Sequence, residues 1–241
     1  MWLVRHGESV ANLAATAAEL SGLETITVDN RDADVPLSPT GRQQAKALGH
    51  WLAENSGDRA PSRIWCSPYL RAEQTAALSL EEAGLTTTIL VDERLRDREL
   101  GILDLLTSRG VEARFPGEAE RRRWLGKFFY RPPGGESWAD VALRVRSFLR
   151  DADVPGTEGT VLIVAHDAVV MLLLYICLGL NERQLLDFAR ENTVTNASVT
   201  RLSRTGDGTT WTLDVFAHSD HLEKLGVPVT EHPGNPDVHP R

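Results

Sequence analysis

Two cysteines, Cys66 and Cys177, are too few for a disulfide framework; both lie in apolar runs and are expected to be reduced and buried. Long hydrophobic runs are also lacking. The longest, Ala168 to Leu180, is too short to span a bilayer. The first residues, Met1-Trp2-Leu3-Val4-Arg5-His6, show no basic n-region, apolar h-region or cleavage site, so a cytoplasmic protein without a membrane partner is expected. Positive charge is not in excess: the formal net charge is -8, which argues against a nucleic-acid partner but leaves room for a small cationic pocket. No internal repeat or linker divides the chain. His218 and His221 are three residues apart, but no cysteine or further histidine cluster accompanies them, so no metal is expected there.

What is present reads as one α/β unit. The hydrophobic and charged fractions, 41% and 25%, are those of an ordinary globular chain. Three short apolar runs, Trp2 to Val4, Arg63 to Cys66 and Val161 to Ala165, each give way to polar residues and then to a helical pattern, the rhythm of an α/β sheet. Ile89 to Val91 adds a strand, and Val199 to Ser203 with Trp211 to Phe216 form a late pair. Ser38-Pro39 caps a helix with Ala45, Leu48, Trp51 and Leu52 on one face. Ser137 with Asp140 starts another. Residues 168–178 are apolar almost all round and predict a buried helix that stops near Gly179.

The chemistry gathers where strands end. Arg5-His6-Gly7-Glu8-Ser9 follows the first strand and precedes the helical pattern of Val10 to Leu20. Ligands of open α/β sheets collect beyond such strand ends, and amides opening the next helix favour an anion. An arginine beside a histidine there offers a phosphate clamp next to a nucleophilic imidazole. The second strand leads into Ser67-Pro68-Tyr69-Leu70-Arg71-Ala72-Glu73-Gln74-Thr75-Ala76, and the third ends in His166-Asp167. Alone, Arg71 would read as a solvated helix residue and His166 as a core histidine. Together the three strand ends converge on one spot.

These segments, with Leu37-Ser38-Pro39-x-Gly41-Arg42-x-Gln44-Ala45, resemble the histidine phosphatase superfamily, also called phosphoglycerate-mutase-like, over roughly residues 1–222. The resemblance implies a three-layer α/β/α sandwich with a mostly parallel central sheet and a helical cap region. It implies a catalytic domain over 1–225 with a cap-like insertion at about 102–136, and residues 226–241, rich in proline and poor in apolar residues, are expected to be a disordered tail. It makes His6 the nucleophile that becomes phosphohistidine. Arg5, Arg71 and His166 would hold the equatorial oxygens, with Asn12 as a polar neighbour and no metal or cofactor. The physics agrees, because a phosphoryl transition state spreads charge over three oxygens and rewards fixed cationic donors.

Two departures follow. The family's general acid is usually a glutamate in L-[RN]-E-x-x-x-G, and here Leu95-Arg96-Asp97-Arg98-Glu99-Leu100-Gly101 offers Asp97 at that position and Glu99 two residues on. Asp97 is the expected acid, kept protonated by burial or by facing the bound dianion, and Glu99 is the alternative. The glycine that commonly follows the late histidine is Asp167 here; its N–H could face phosphate only if its carboxylate turned away. The segment Arg121-Arg122-Arg123-Trp124 and Lys127 to Ser137 resembles the F-Y-R-x-P-x-G-E-S stretch of broad-range acid phosphatases. It reads either as a solvated helix with an aromatic face or as a cap that selects substrate. The expected function is hydrolysis of a small phosphomonoester. Phosphoglycerate mutase-type transfer, disfavoured by the absence of F-T-G-W after the first motif, and a phosphoprotein phosphatase or docking module are the alternatives.

Overall fold

The computed structural model describes residues 1–57, 60–152, 159–204, 210–232 and 240. At its centre β1 (Trp2–Arg5) lies parallel to β4 (Thr160–Ala165), β4 is parallel to β2 (Pro61–Cys66), and β2 is parallel to β3 (Ile89–Val91). On the other side β5 (Val199–Arg204) runs antiparallel to β1, and β6 (Trp211–His218) antiparallel to β5. The order is β3-β2-β4-β1-β5-β6, a mostly parallel sheet.

Strand alternation makes the layers. Trp2 and Val4, with Leu162 and Val164, turn to α2 (Pro39–Ser56) and α3 (Leu70–Ala83), where Leu48, Leu52, Ala72 and Ala76 are buried. Leu3, Ile163 and Ala165 turn to the opposite face, covered by α6 (Trp138–Ala152), α7 (Asp167–Cys177) and α8 (Glu182–Glu191). The apolar α7 is buried from Ala168 to Leu174 and gives way to Gly179, whose φ of 63° suits glycine. Caps match their sequence signals: Ser9 Oγ accepts from Asn12 N at the head of α1 (Val10–Leu20), and Ser38 Oγ from Gly41 N at α2. Among the described residues no helix is long and apolar enough to cross a membrane.

The cap region is α4 (Ser108–Arg114) and α5 (Pro116–Phe129), packed around Leu103, Val111, Ala119 and Tyr130. Helix α5 breaks at Gly126, where φ 70° and ψ 165° require a residue without Cβ. Phe128 is buried and Trp124 exposed, while Arg122, Lys127 and Tyr130 line a cavity.

Two expectations change. After α9 (Asp220–Lys224) the chain does not leave the surface: Val227 and Val229 pack on Ala47, Ala197 and Leu222. Gln44 Nε2 donates to Pro228 O and Thr230 Oγ1, both at 2.9 Å. Two valines and a few hydrogen bonds hold 227–232 despite the low apolar content of the whole tail; 233–239 and 241 lie outside the described residues. Cys177 is half-buried rather than buried, although both cysteines are free thiols. His221 is a buried residue whose Nε2 donates to Ala197 O at 3.1 Å.

Candidate active site

Parallel registry brings three strand ends together: Arg5 pairs with Ala165, and Val164 pairs with both Val4 and Cys66. The segment that leaves β1 is tied from every side. His6 N donates to Ala165 O at 2.9 Å, Gly7 N to Thr75 Oγ1 at 3.0 Å and Glu8 N to Gln44 Oε1 at 2.8 Å. Asn196 Nδ2 donates to His6 O at 3.0 Å, and Ala197 N is shared between Arg5 O and His6 O. Ala197 does this at φ 54°, a left-handed conformation that costs an alanine about 1–2 kcal/mol. A Cβ on Gly7 would stand 2.6 Å from Gly41 O, so both glycine motifs exist because this loop and the head of α2 touch backbone to backbone.

His6 is buried, with Nδ1 2.6 Å from Gly7 O. A carbonyl only accepts, so Nδ1 carries the proton and Nε2 keeps its lone pair. Burial, then the charges of Arg71, His166 and Arg5, hold the imidazolium well below its usual range, so His6 is neutral and nucleophilic. His166 lies beside it, ring centroids 5.1 Å apart. His166 Nε2 is 2.8 Å from Ser67 Oγ, and Nδ1 is 3.2 Å from Asp97 Oδ2, at ion-pair distance but too oblique for a well-formed hydrogen bond. Tyr69 braces the cluster, its ring 5.3 Å from that of His166 and 4.9 Å from the Arg71 guanidinium carbon.

Arg5 Nη1 donates to Val194 O at 2.5 Å. Arg71 meets two carboxylates: Nη2 is 3.0 Å from Asp97 Oδ2, and Nη1 is 2.9 Å from Asp32 Oδ1. For Asp97, burial favours the neutral acid, but His166, Arg71 and the Arg98 N–H outweigh it and hold the carboxyl well below its usual range. Burial alone therefore does not keep Asp97 protonated in the free site. Asp32 moves the other way, raised by burial against the opposing pull of Arg71, with Asp97 adding to the rise. Glu99 accepts from Tyr69 Oη at 3.0 Å and stands farther out, half exposed. Asn12 Oδ1 is spent on Ser9 N, and Asp167 Oδ1 on Ala168 N at 2.6 Å, which turns that carboxylate back on its own helix start.

The loop carrying Asp97 is fixed by Arg144, which donates to the carbonyls of Arg94, Arg96 and Asp97 at 2.6, 2.9 and 3.0 Å. Glu136 grips Arg144 through both carboxylate oxygens, which explains the glutamate of the G-E-S stretch. Arg5, His6, Asn12, Arg71, Asp97, Glu99 and Asp167 all line one cavity of about 520 Å³, whereas His166 lies beneath it with no exposed surface.

His6, Asp97 and His166 have ligand atoms within 4.8 Å of one another, a spacing that suits a metal ion. Arg71, ion-paired with Asp97, and Arg5, whose charge acts on His6, oppose a cation there and favour an anion. Asp32, Asn196, Ser67, Tyr69 and His232 also belong to the site or its walls. The acidic run Asp29 to Asp34 was the one sequence signal for Asp32. His232 lines the cavity with its Nδ1 2.7 Å from Thr16 Oγ1, although it falls in the expected tail.

Comparison with known proteins fits this arrangement. The 2,3-bisphosphoglycerate-dependent phosphoglycerate mutase of Methylobacterium radiotolerans is 33% identical over 188 residues, 77% of this chain and 82% of that protein. A 6-phosphofructo-2-kinase/fructose-2,6-bisphosphatase of Caenorhabditis elegans is 30% identical over 72% of this chain, which spans 33% of that longer protein. The solved mycobacterial glucosyl-3-phosphoglycerate phosphatase in complex with VO3 is 30% identical, covers 91% of this chain and 99% of its own, and superposes with a TM-score of 0.69. The sequence model of the histidine phosphatase superfamily (branch 1) matches residues 1–216, from before β1 into β6, and the chain belongs to that superfamily.

Proposed function

We propose that this member of a phosphoryl-transfer superfamily is an acid phosphatase-like phosphomonoester hydrolase acting on a small substrate. One observation carries the reading: a histidine with Nδ1 bonded to a carbonyl and Nε2 unprotonated lies among Arg5, Arg71 and His166. Nε2 of His6 attacks phosphorus, the bond from phosphorus to the leaving oxygen breaks, and Asp97 protonates that oxygen. Water then attacks the phosphohistidine, Asp97 takes its proton, and orthophosphate leaves with His6 neutral again.

The experiment is 3-phosphoglycerate incubated with 2,3-bisphosphoglycerate. Net phosphate release supports hydrolysis, and faster isomerisation to 2-phosphoglycerate overturns it in favour of the mutase reading that the Methylobacterium relative's name suggests. Cations turned into a cavity, rather than spread on a flat face, favour a small molecule over a phosphoprotein.

Asp97 sets a sharper expectation. Because it is ionised in the free site, the proton enters with the substrate monoanion, whose second pKa is about 6, so kcat/KM falls as pH rises through that value. Protonating the leaving oxygen matters for an alkyl alcohol and hardly at all for nitrophenolate. Asp97→Asn is expected to slow alkyl phosphate hydrolysis about 10²–10⁴-fold and nitrophenyl phosphate hydrolysis far less. The same selective defect in Glu99→Gln instead would transfer the acid role to Glu99.

A further inference from the structure

Ser67 reaches the phosphoryl site through a histidine. It has no exposed surface, and the sheet sets its place: it follows the last residue of β2, and its N–H donates to Val164 O at 3.0 Å, two residues before His166 on the neighbouring strand. Ser67 Oγ accepts from Tyr69 N at 3.2 Å and lies 2.8 Å from Nε2 of the equally buried His166. The other ring nitrogen, Nδ1, lies 3.2 Å from Asp97 Oδ2, and Asp97 lines the cavity. Hydroxyl, imidazole and carboxylate in line are the parts of a nucleophilic triad, but here the line is turned round. The serine is the buried end and the carboxylate meets the cavity, so Ser67 is no nucleophile.

One hydroxyl hydrogen decides how the ring is protonated. Burial lowers the His166 imidazolium against the pull of Asp97, so near neutral pH the ring carries a single N–H. That proton has two places to sit. On Nε2, it makes the Ser67 hydroxyl accept from both the ring and Tyr69 N. The hydroxyl's own hydrogen then meets no acceptor among the described residues, and a lone pair on Nδ1 faces a carboxylate oxygen. On Nδ1, it faces Asp97 instead, while the hydroxyl donates to Nε2 and still accepts from Tyr69 N. The second arrangement leaves no buried polar atom opposed by its neighbour.

We infer that Ser67 is a positioning residue: it pins Nε2 of His166 at the back of the site and so directs Nδ1–H to the front, where it faces Asp97 in the free site and donates to a phosphoryl oxygen when one is bound. The two histidines thereby take complementary roles. Gly7 O takes the Nδ1 proton of His6 and leaves Nε2 as nucleophile, while the Ser67 hydroxyl occupies the Nε2 lone pair of His166 and leaves Nδ1 as donor. The Asp97 contact is too oblique to use that donor well, so an incoming oxygen gains it at little loss elsewhere. A neutral ring also adds a donor without adding a third positive charge beside Arg5 and Arg71. Without the hydroxyl, Nε2 has no partner in either tautomer, and the ring is free to exchange tautomers or turn over. The effect on turnover rests on the phosphatase reading above; the protonation of the ring does not.

Long-range nitrogen–proton NMR of protein carrying isotope-labelled histidine reads the ring directly. The His166 signals are assigned by their loss in His166→Ala, or in His166→Asn if the alanine variant does not fold. Slightly above neutral pH, wild type should show His166 as one tautomer, with the proton on Nδ1 and Nε2 accepting a hydrogen bond. In Ser67→Ala that tautomer should give way to a mixture, and kcat/KM on nitrophenyl phosphate should fall about 10–10²-fold, the cost of one buried group left without its partner. A packing role would persist without the imidazole, whereas a role through His166 would not. Adding Ser67→Ala to the His166 variant should therefore cost nothing further. A proton on Nε2 in wild type, an unchanged spectrum in Ser67→Ala, or the same loss with and without His166 overturns the proposal. The expected spectra together with isomerisation of 3-phosphoglycerate and no phosphate release would overturn only the phosphatase reading.

Discussion

His6→Ala protein is expected to lose about 10⁵-fold or more in kcat/KM, as enzymes do when their nucleophile is removed. No neighbouring group can replace it. Nε2 of His166 is committed to Ser67 Oγ, its Nδ1 faces a carboxylate, and the Nδ1 of His232, which lines the same cavity, is engaged with Thr16 Oγ1. Rapid-quench mass spectrometry of wild type should find an acid-labile phosphate on residue 6. Because burial and the charges of Arg71 and Arg5 hold the His6 pKa down, its ionisation should not limit activity as pH falls through 6.5, where a free histidine would become protonated and inert. Wild-type turnover in His6→Ala, with the protein folded, would end the phosphohistidine mechanism.

Arg71→Ala should cost about 10²–10³-fold, the loss that follows removal of one oxyanion donor. The structure places it at the upper end of that range. Arg71 neutralises both Asp32 and Asp97, and its removal leaves two carboxylates, 3.0 Å or less from the former guanidinium, facing the incoming phosphate monoanion. Arg71→Lys should lose less, because it keeps the charge, yet stay below wild type for want of the planar fork that serves two acids and a phosphoryl oxygen together. Comparing kcat/KM of both variants on one aryl phosphate decides the matter; near-normal activity in the alanine variant would make Arg71 a structural residue.

The strand ends and helix caps were legible because local chemistry dictates them. Trp2 to Val4, Ser38-Pro39 and Ser137 with Asp140 announce their elements within a few residues, and each formed where expected. Glycine spacing hinted at close backbone approach without naming the partner, and only the fold sets Gly7 against Gly41. Asn196 reaches His6 O across 190 residues, a contact that no local pattern encodes. The ionisation of Asp97 in the free site was not legible because it depends on His166 and Arg71 lying about 3 Å away, whereas sequence supplied only its place in a motif. The 227–232 segment was missed because average composition hides two well-placed valines.

That segment gives the site an unusual dependence on chain topology. Thr230 Oγ1 donates to Asn196 Oδ1 at 3.1 Å, Asn196 holds His6 O, and Gln44 links Glu8 to Thr230 from the other side. The segment around His6 is therefore aligned by residues that lie far along the chain. Sheet and helices can gather as they are made, but contacts of such sequence separation are the slow ones in folding, and this set cannot close before residue 230 is released. Until residue 230 has emerged, Arg5, His6 and Glu8 lack that set of contacts.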